Sequence, residues 1–86
     1  MYELAIAEHA MKHGLTQEEI TYAWEHLVAI RFREAPNEEE AIAIGILPDG
    51  SVAEVVALTT KGRTVVFHAM TPPTRKALIE VGLKRR

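Results

Sequence analysis

The sequence contains no cysteine among its 86 residues. This absence excludes disulfides, thiolate metal sites and a cysteine nucleophile together. Aromatic residues make up only 6% of the chain, and no apolar run approaches the ~18 residues needed to cross a bilayer. The N-terminus also lacks a charged segment followed by a long apolar run. These absences predict a soluble, cytoplasmic protein without a membrane partner.

The hydrophobic fraction is 48%, which is ordinary for a globular protein and indicates a packed core rather than disorder. A chain of this length is shorter than most domains, so we expect a single domain over residues 1–86. A core of this size gives only a few kcal/mol of net stability, and a partner or a dimer would add to it.

Charge is distributed unevenly along the chain. Residues 1–60 hold three Lys/Arg against eleven Asp/Glu, whereas residues 61–86 hold seven Lys/Arg against one Glu. Clustered basic side chains create a local positive potential whatever the net charge, so the C-terminal part suits an anionic partner. Acidic and basic parts that fold against each other would give the same pattern, and the sequence leaves both interpretations open.

Helical signals occupy the first third of the chain. Apolar residues spaced three and four apart predict a short helix over 2–13. The stretch TQEE at Thr16–Glu19 is a capping box, and it predicts a second helix over about 17–26. Leu15 and Ile20 flank that box as a hydrophobic staple.

Strand signals follow, and a last helix closes the chain. The tripeptide PDG at 48–50 predicts a turn between two of the strands. A helix is predicted over about 73–81, with Thr71 as its cap. The predicted fold is therefore α+β, with two N-terminal helices, a four-stranded antiparallel meander sheet and a C-terminal helix. The strands are predicted over 28–32, 42–46, 52–60 and 64–70.

His68 is the main candidate for chemistry. It lies in an apolar strand, with Arg63 before it and Arg75 after it. Cleavage of RNA requires a base that takes the 2′-hydroxyl proton and cations that hold the phosphate as charge builds on it. A neutral imidazole near guanidinium groups meets both requirements. A partly buried histidine that is hydrogen-bonded within the core would show the same pattern, so both roles stay open.

His9 and His13 stand four residues apart, the spacing that places two imidazoles on one face of a helix. The stretch HAMKH lacks the glutamate of the HExxH signature, and no clear third ligand accompanies the pair. We therefore predict no metal and no cofactor. His13 is instead expected at a helix C-terminus, where a cationic side chain meets the helix dipole favourably.

Other binding chemistries have weaker support. Trp24, Tyr22 and Phe32 could stack on bases, but packing within the protein is the expectation at this aromatic content. Tyr22 is expected to be more exposed by its helical spacing, and alone it is a weak signal for base stacking. The sequence has no Gly-rich phosphate loop, no GxSxG elbow and no zinc-finger spacing. A DNA-binding regulator is disfavoured because the predicted second helix is acidic, with no basic recognition surface.

Several segments together resemble a known toxin family. A KHG stretch at 12–14, an acidic-capped helix, four strands and a short basic helix resemble the BrnT branch of the RelE-like toxins. The segments GILPDG at 45–50 and VFHAMTPPTRK at 66–76 look like a divergent group within or beside that branch. The likeness covers nearly the whole chain.

This resemblance implies a RelE-like fold and a type II toxin: a hydrolase of the endoribonuclease class that cleaves messenger RNA, free or on the ribosome. It also implies a cognate antitoxin that holds the toxin inactive in an oligomeric complex. The family's last strand typically ends in a Ser-Ala-Arg type segment, whereas this chain has His68-Ala69-Met70. The expected site therefore comprises catalytic His68, Arg63 and Arg75, with RNA-binding Lys61, Lys76, Lys84, Arg85 and Arg86.

The second hypothesis is a non-catalytic protein-interaction module on the same scaffold. The net charge of −2 favours this hypothesis, because a free-standing RNA-binding enzyme is usually net positive. Loss of RNA cleavage on replacing a basic residue, without loss of folding, would distinguish the two.

Overall fold

One five-stranded mixed sheet organises the molecule. The structure is a computed structural model that describes residues 3–34, 39–60 and 62–85. The strands lie in the order β1-β5-β4-β3-β2, and all neighbours are antiparallel except β1 and β5, which run parallel. The strands are β1 (Glu3–Ile6), β2 (Leu27–Phe32), β3 (Glu40–Ile46), β4 (Val52–Thr60) and β5 (Arg63–Met70).

Three helical segments accompany the sheet: a 3-10 helix at Glu8–Met11, α1 at Gln17–Glu25 and α2 at Arg75–Glu80. Within the part of the chain that the structure describes, no helix is long and apolar enough to cross a membrane.

The predicted layout, with two N-terminal helices before a four-stranded antiparallel meander, is wrong. The segment expected as the first helix forms β1 and the 3-10 helix instead. The amide of Glu3 donates to the Gly62 carbonyl at 3.0 Å, and the amide of Ala7 donates to the Val66 carbonyl at 2.8 Å. These bonds give partners to main-chain groups at the edge of β5, which would lack them if the first segment formed a helix. Pairing across the fold therefore outweighs a short helical pattern.

The four strands that the alternation predicts do form, and they pair with one another in chain order. β4 lies at the centre of the sheet and is covered on both faces, as its apolar character on both sides predicts. The PDG turn forms as well, with Gly50 at a φ of +88° and its amide donating to the Leu47 carbonyl.

The core consists of two clusters on opposite faces of the sheet. Because successive strand residues point to opposite sides, Val55 packs with α1 on one face and Val56 packs with α2 on the other. The cluster on the α2 face contains Ile42, Ile44, Val56 and Ala77. The larger cluster on the α1 face contains Ala10, Leu15, Ile20, Ala23, Leu47, Ala53, Val55, Ala57, Val66 and Ala69.

The start of α1 confirms the predicted capping box. The Thr16 hydroxyl accepts from the Glu19 amide at 3.1 Å, and the Glu19 carboxylate accepts from the Thr16 amide at 2.9 Å. Leu15 and Ile20 are both buried in the core cluster, as a hydrophobic staple requires. The sequence therefore defines this helix start by local interactions alone.

The start of α2 differs from the prediction. Thr74, not Thr71, is the cap, because its hydroxyl accepts from the Ala77 amide at 3.1 Å. The Thr71 hydroxyl donates instead to the Val52 carbonyl at 2.6 Å, which ties the end of β5 to β4. Two threonines flank the proline pair, and the tertiary contact decides which of them caps the helix.

The aromatic residues divide between core and surface. Trp24 is half-buried and packs against the core cluster, as expected. Phe32 contradicts the expectation of packing, since it is 61% exposed at the end of β2.

Gly45 on β3 permits the closest contact between the sheet and α1. A Cβ at this position would lie 2.1 Å from the Ala23 carbonyl oxygen, well inside any allowed contact. Only glycine lets the helix backbone approach the strand this closely.

We therefore expect Gly45→Ala to destabilise the fold by about 3 kcal/mol or more, because the helix must move away from the sheet. Gly62→Ala is the matched control: the space there is open, and only the positive φ of +79° is strained. Its cost should be about 1–2 kcal/mol. Urea unfolding measures both, and equal losses in the two variants would contradict the close-contact explanation.

Candidate acid–base site

Two polar side chains lie in the apolar middle of neighbouring strands. Glu54 on β4 is only 6% exposed, and its Oε2 lies 2.8 Å from Nε2 of His68 on β5. The register pairs Glu54 with Met70 and Val56 with His68, so the two side chains are diagonal neighbours on one face of the sheet. This face is the one that α2 covers.

The second carboxylate oxygen of Glu54 is also engaged, since Oε1 accepts from the Thr74 amide at 2.6 Å. Burial by itself raises the pKa of Glu54, but the hydrogen bonds from Thr74 and His68 outweigh it and lower the pKa below its ordinary value of 4.5. The carboxylate is therefore ionised near neutral pH.

An ionised carboxylate only accepts hydrogen bonds, so Nε2 of His68 carries the proton that Glu54 binds. In the neutral ring, Nδ1 is then the nitrogen that can accept a proton. Nδ1 has no hydrogen-bond partner in residues 3–34, 39–60 and 62–85. The His68 side chain is 25% exposed, which leaves it accessible from solvent. A carboxylate that fixes the tautomer of a partly exposed histidine is the arrangement of a general base.

A groove of about 340 Å³ opens over this pair. His9 and Lys76 line the groove together with Glu54 and His68. The ring of His13 meets that of His68 edge to face, with ring centroids 5.5 Å apart. His13 thus contacts the His68 ring, whereas His9 and Lys76 line the same groove.

The structure separates the predicted site residues into distinct regions. Lys76 lines the His68 groove, and it also lines an adjoining groove of about 850 Å³ with Arg75 and Arg31. Lys84 and Arg85 follow α2 and are exposed. Lys61 and Arg86 lie outside the described residues.

Arg63 lies at the opposite end of β5 from His68. His68 lies five positions further along the strand, which at the rise of a strand corresponds to about 16 Å between the two Cα atoms. The Arg63 guanidinium faces Glu3, with 3.9 Å between Nε and the carboxylate. The structure therefore does not bring Arg63 to the imidazole.

Sequence reasoning missed the carboxylate partner of His68 and the approach of His9 and His13 to it. Glu54 has a readable signal: it is the only charged residue in the apolar strand VAEVVAL, and a buried charge requires a partner. His68 is the corresponding polar residue of the next strand. The sequence predicts one helix over both histidines, whereas β1 and the 3-10 helix form there instead. Their position therefore follows only from the pairing of β1 with β5.

An ion-pair cluster holds the other end of α2 to the sheet. Arg33, directly after β2, donates from Nε to Glu80 of α2 at 2.9 Å and from NH1 to Glu40 of β3. The hydrogen bond from Arg33 lowers the pKa of Glu80, although burial opposes the shift, and the two carboxylates raise the pKa of Arg33. The cluster therefore fixes the side of the groove opposite the Thr74 cap.

Among the described residues, no group of three His, Asp or Glu side chains is arranged to hold a metal ion. Comparison with protein-family models, with curated proteins and with solved structures found no match. The toxin family suggested by the sequence resemblance therefore stays a prediction, and the chemistry has to be inferred from the side chains themselves.

Replacing Arg33 should destabilise the fold more than replacing a neighbouring arginine. Arg33→Gln leaves Glu40 and Glu80 without their cation and should cost about 2 kcal/mol. Arg31→Gln on the same face is the control, since Arg31 forms no ion pair with any described residue and acts on Glu80 only through space. Its effect should stay within about 0.5 kcal/mol. Urea unfolding at neutral pH provides the comparison, and similar losses would show that the cluster contributes nothing.

The lowered pKa of Glu54 predicts a loss of stability in acid. Its contribution is fully present above the unfolded-state value, near 4.5, and disappears as the pH falls through the lower folded-state value. Urea midpoints measured from pH 7 to pH 3 should therefore fall more steeply for the wild type than for Glu54→Gln. Parallel curves would show that Glu54 has the same pKa folded and unfolded.

Proposed function

We propose that this protein is an endoribonuclease that cleaves RNA by acid–base catalysis at the 2′-hydroxyl. The observation that carries the proposal is the Glu54–His68 pair, in which a buried, ionised carboxylate binds Nε2 at 2.8 Å. Nδ1 has no partner among the described residues, and His68 lines an open groove. A histidine held in this way is suited to accept a proton from a substrate hydroxyl.

In the proposed reaction, Nδ1 of His68 takes the 2′-hydroxyl proton and the 2′-oxygen attacks the adjacent phosphorus. The bond from phosphorus to the 5′-oxygen breaks, and the 5′-oxygen takes a proton from a second imidazole of the groove, assigned to His9. The products are a 2′,3′-cyclic phosphate and a 5′-hydroxyl, so no other reactant is consumed. Glu54 acts through His68 and is a positioning residue.

Cations at the start of α2 are proposed to stabilise the negative charge on the phosphate. Lys76 lines the groove beside His68, and Arg75 lies next to it in the adjoining groove. Negative charge builds on the phosphate during attack, and a positioned cation stabilises it most in a partly enclosed site. Both residues are exposed, and neither forms an ion pair with a described residue, although Lys76, after Arg33, also contributes to the lowered pKa of Glu80.

We extend the proposal to a type II toxin whose substrate is messenger RNA and whose partner is a cognate antitoxin. The support is the resemblance of the KHG, GILPDG and VFHAMTPPTRK segments to the BrnT branch. The mixed five-stranded sheet departs from the layout expected for that branch. The toxin assignment therefore depends on those segments and on the His68 groove, not on the arrangement of the sheet.

A non-catalytic interaction module is the second candidate. It is favoured by the complete engagement of Glu54, whose two oxygens join β5 through His68 and α2 through Thr74. The same contacts that orient a catalytic base would also serve to hold three elements together. Variants that remain folded separate the two roles.

The test is cleavage of a labelled messenger RNA, with and without ribosomes, by the wild type and by His68→Gln. We expect the variant to lose about 10²–10⁴-fold in rate, the usual contribution of a general base. His26→Gln is the matched control, because His26 lies at the end of α1, where it binds the Tyr22 carbonyl and stacks on the Tyr22 ring. Circular dichroism establishes that each variant is folded.

The outcomes distinguish the candidates. A folded His68→Gln protein that cuts as fast as the wild type removes His68 from catalysis. No cleavage by the wild type under either condition overturns the nuclease and leaves the interaction module. An unfolded His68→Gln protein shows a structural role, and His9→Gln, on the exposed 3-10 helix, then tests the acid–base chemistry separately.

A further inference from the structure

The outer edge of β2 is unusually apolar for an edge strand. Val28, Ile30 and Phe32 are 51%, 41% and 61% exposed. Edge strands are normally protected by lysine, proline or charge, because their free main-chain groups can pair with another chain. Leu27–Phe32 contains neither proline nor lysine, and Arg31 is its only charged residue.

The main-chain groups of β2 follow a fixed alternation. The amide of Arg33 donates to the carbonyl of Glu40, which extends the register of β2 and β3 by one residue beyond the pair Phe32 and Ala41. In an antiparallel pair, bonded and non-bonded positions alternate, so Arg31 also bonds to β3 whereas Ile30 and Phe32 do not. The N–H and C=O groups of Ile30 and Phe32 therefore point outward. These are the same residues whose apolar side chains are exposed.

The apolar pattern is also symmetric about Ile30. If two copies of β2 run antiparallel with Ile30 opposite Ile30, then Val28 of each copy lies opposite Phe32 of the other. Arg31 then lies opposite Ala29 of the second copy, so no like charges face each other directly. A shift by two residues in one direction would place Arg31 opposite Arg31. A shift in the other direction would place Phe32 opposite His26, which lies before the start of β2, and would leave Phe32 without an apolar partner.

We propose that a second copy of this chain docks on the β2 edge, in an antiparallel pairing with its two-fold axis at Ile30. The two five-stranded sheets then form one continuous sheet of ten strands. Outward main-chain groups, exposed side chains and charge spacing all select this register, which a strand of unrelated sequence would match only by chance. The interface is isologous, so it closes as a dimer and leaves no free β2 edge. This inference is independent of the nuclease proposal.

Sedimentation equilibrium over a range of protein concentrations tests the association. Because the contact is narrow, we expect a weak dimer with a dissociation constant on the order of 10⁻⁵ M. Ile30→Lys places two cations at the two-fold axis and should leave a folded monomer. Leu58→Lys is the control, since Leu58 is 43% exposed but lies on β4, away from the edge. A wild type that stays monomeric at millimolar concentration overturns the proposal, as does a dimer that Ile30→Lys leaves intact.

Oxidative cross-linking tests the register. Since the chain has no cysteine, a disulfide in a single-cysteine variant can form only between two copies. Ile30→Cys brings the two Cα atoms to about 5.5 Å, within disulfide range, whereas Val28→Cys leaves them about 13 Å apart. Ile30→Cys should therefore cross-link at least about tenfold faster, although Val28 is the more exposed residue. Equal rates, or faster cross-linking of Val28→Cys, would overturn the register.

A binding partner other than a second copy gives a different result. A chain that remains monomeric, yet pairs its β2 edge with a strand of another protein, would show protection of this edge only in the presence of that protein. Amide hydrogen exchange of Ile30 and Phe32, measured on the purified wild type at low and high concentration, separates the cases. Slower exchange at high concentration supports the dimer, and unchanged exchange overturns it.

Discussion

The buried carboxylate of Glu54 is the interaction on which the rest of the site depends. It lies on the central strand, where an unpaired charge would be too costly to retain. Its two oxygens meet this requirement by binding His68 of the neighbouring strand and the amide of Thr74, the residue that caps α2. One side chain therefore joins β4, β5 and α2, and it fixes the tautomer of His68, the one histidine in the strands that the structure describes.

Two contacts hold α2 in position beside the groove. The helix needs them because it has only six residues and is too short to be stable alone. The Thr74 amide bonded to Glu54 holds its beginning, and the ion pair between Arg33 and Glu80 holds its end. Between them, Ala77 packs into the smaller core cluster. Lys76 and Arg75 are thereby presented on a helix with a fixed position, which is what electrostatic stabilisation of a phosphate requires.

The two faces of the sheet have different roles. On the α1 face, the approach that Gly45 permits closes the larger core cluster. On the α2 face, the smaller cluster leaves room for the His68 groove. The edge at β2 belongs to neither, since its apolar side chains are exposed and no other described strand pairs with its outer side. A domain of this size gains stability when such an edge is paired, which gives the proposed dimer a physical advantage.

The sequence by itself determined the elements that depend on local interactions. These are the TQEE capping box of α1, the PDG turn, the four alternating strands and the apolar character of β4 on both faces, because each follows from hydrogen bonds or periodicity within a few residues. His68 was also identified, as a polar residue in an apolar strand. Only the tertiary structure decided that the first segment forms β1 and the 3-10 helix, and that Glu54 is the partner of His68. It also decided that Arg63 lies far from His68. These features depend on which strands become neighbours, and pairing across the chain outweighs the weak local preference of a short segment.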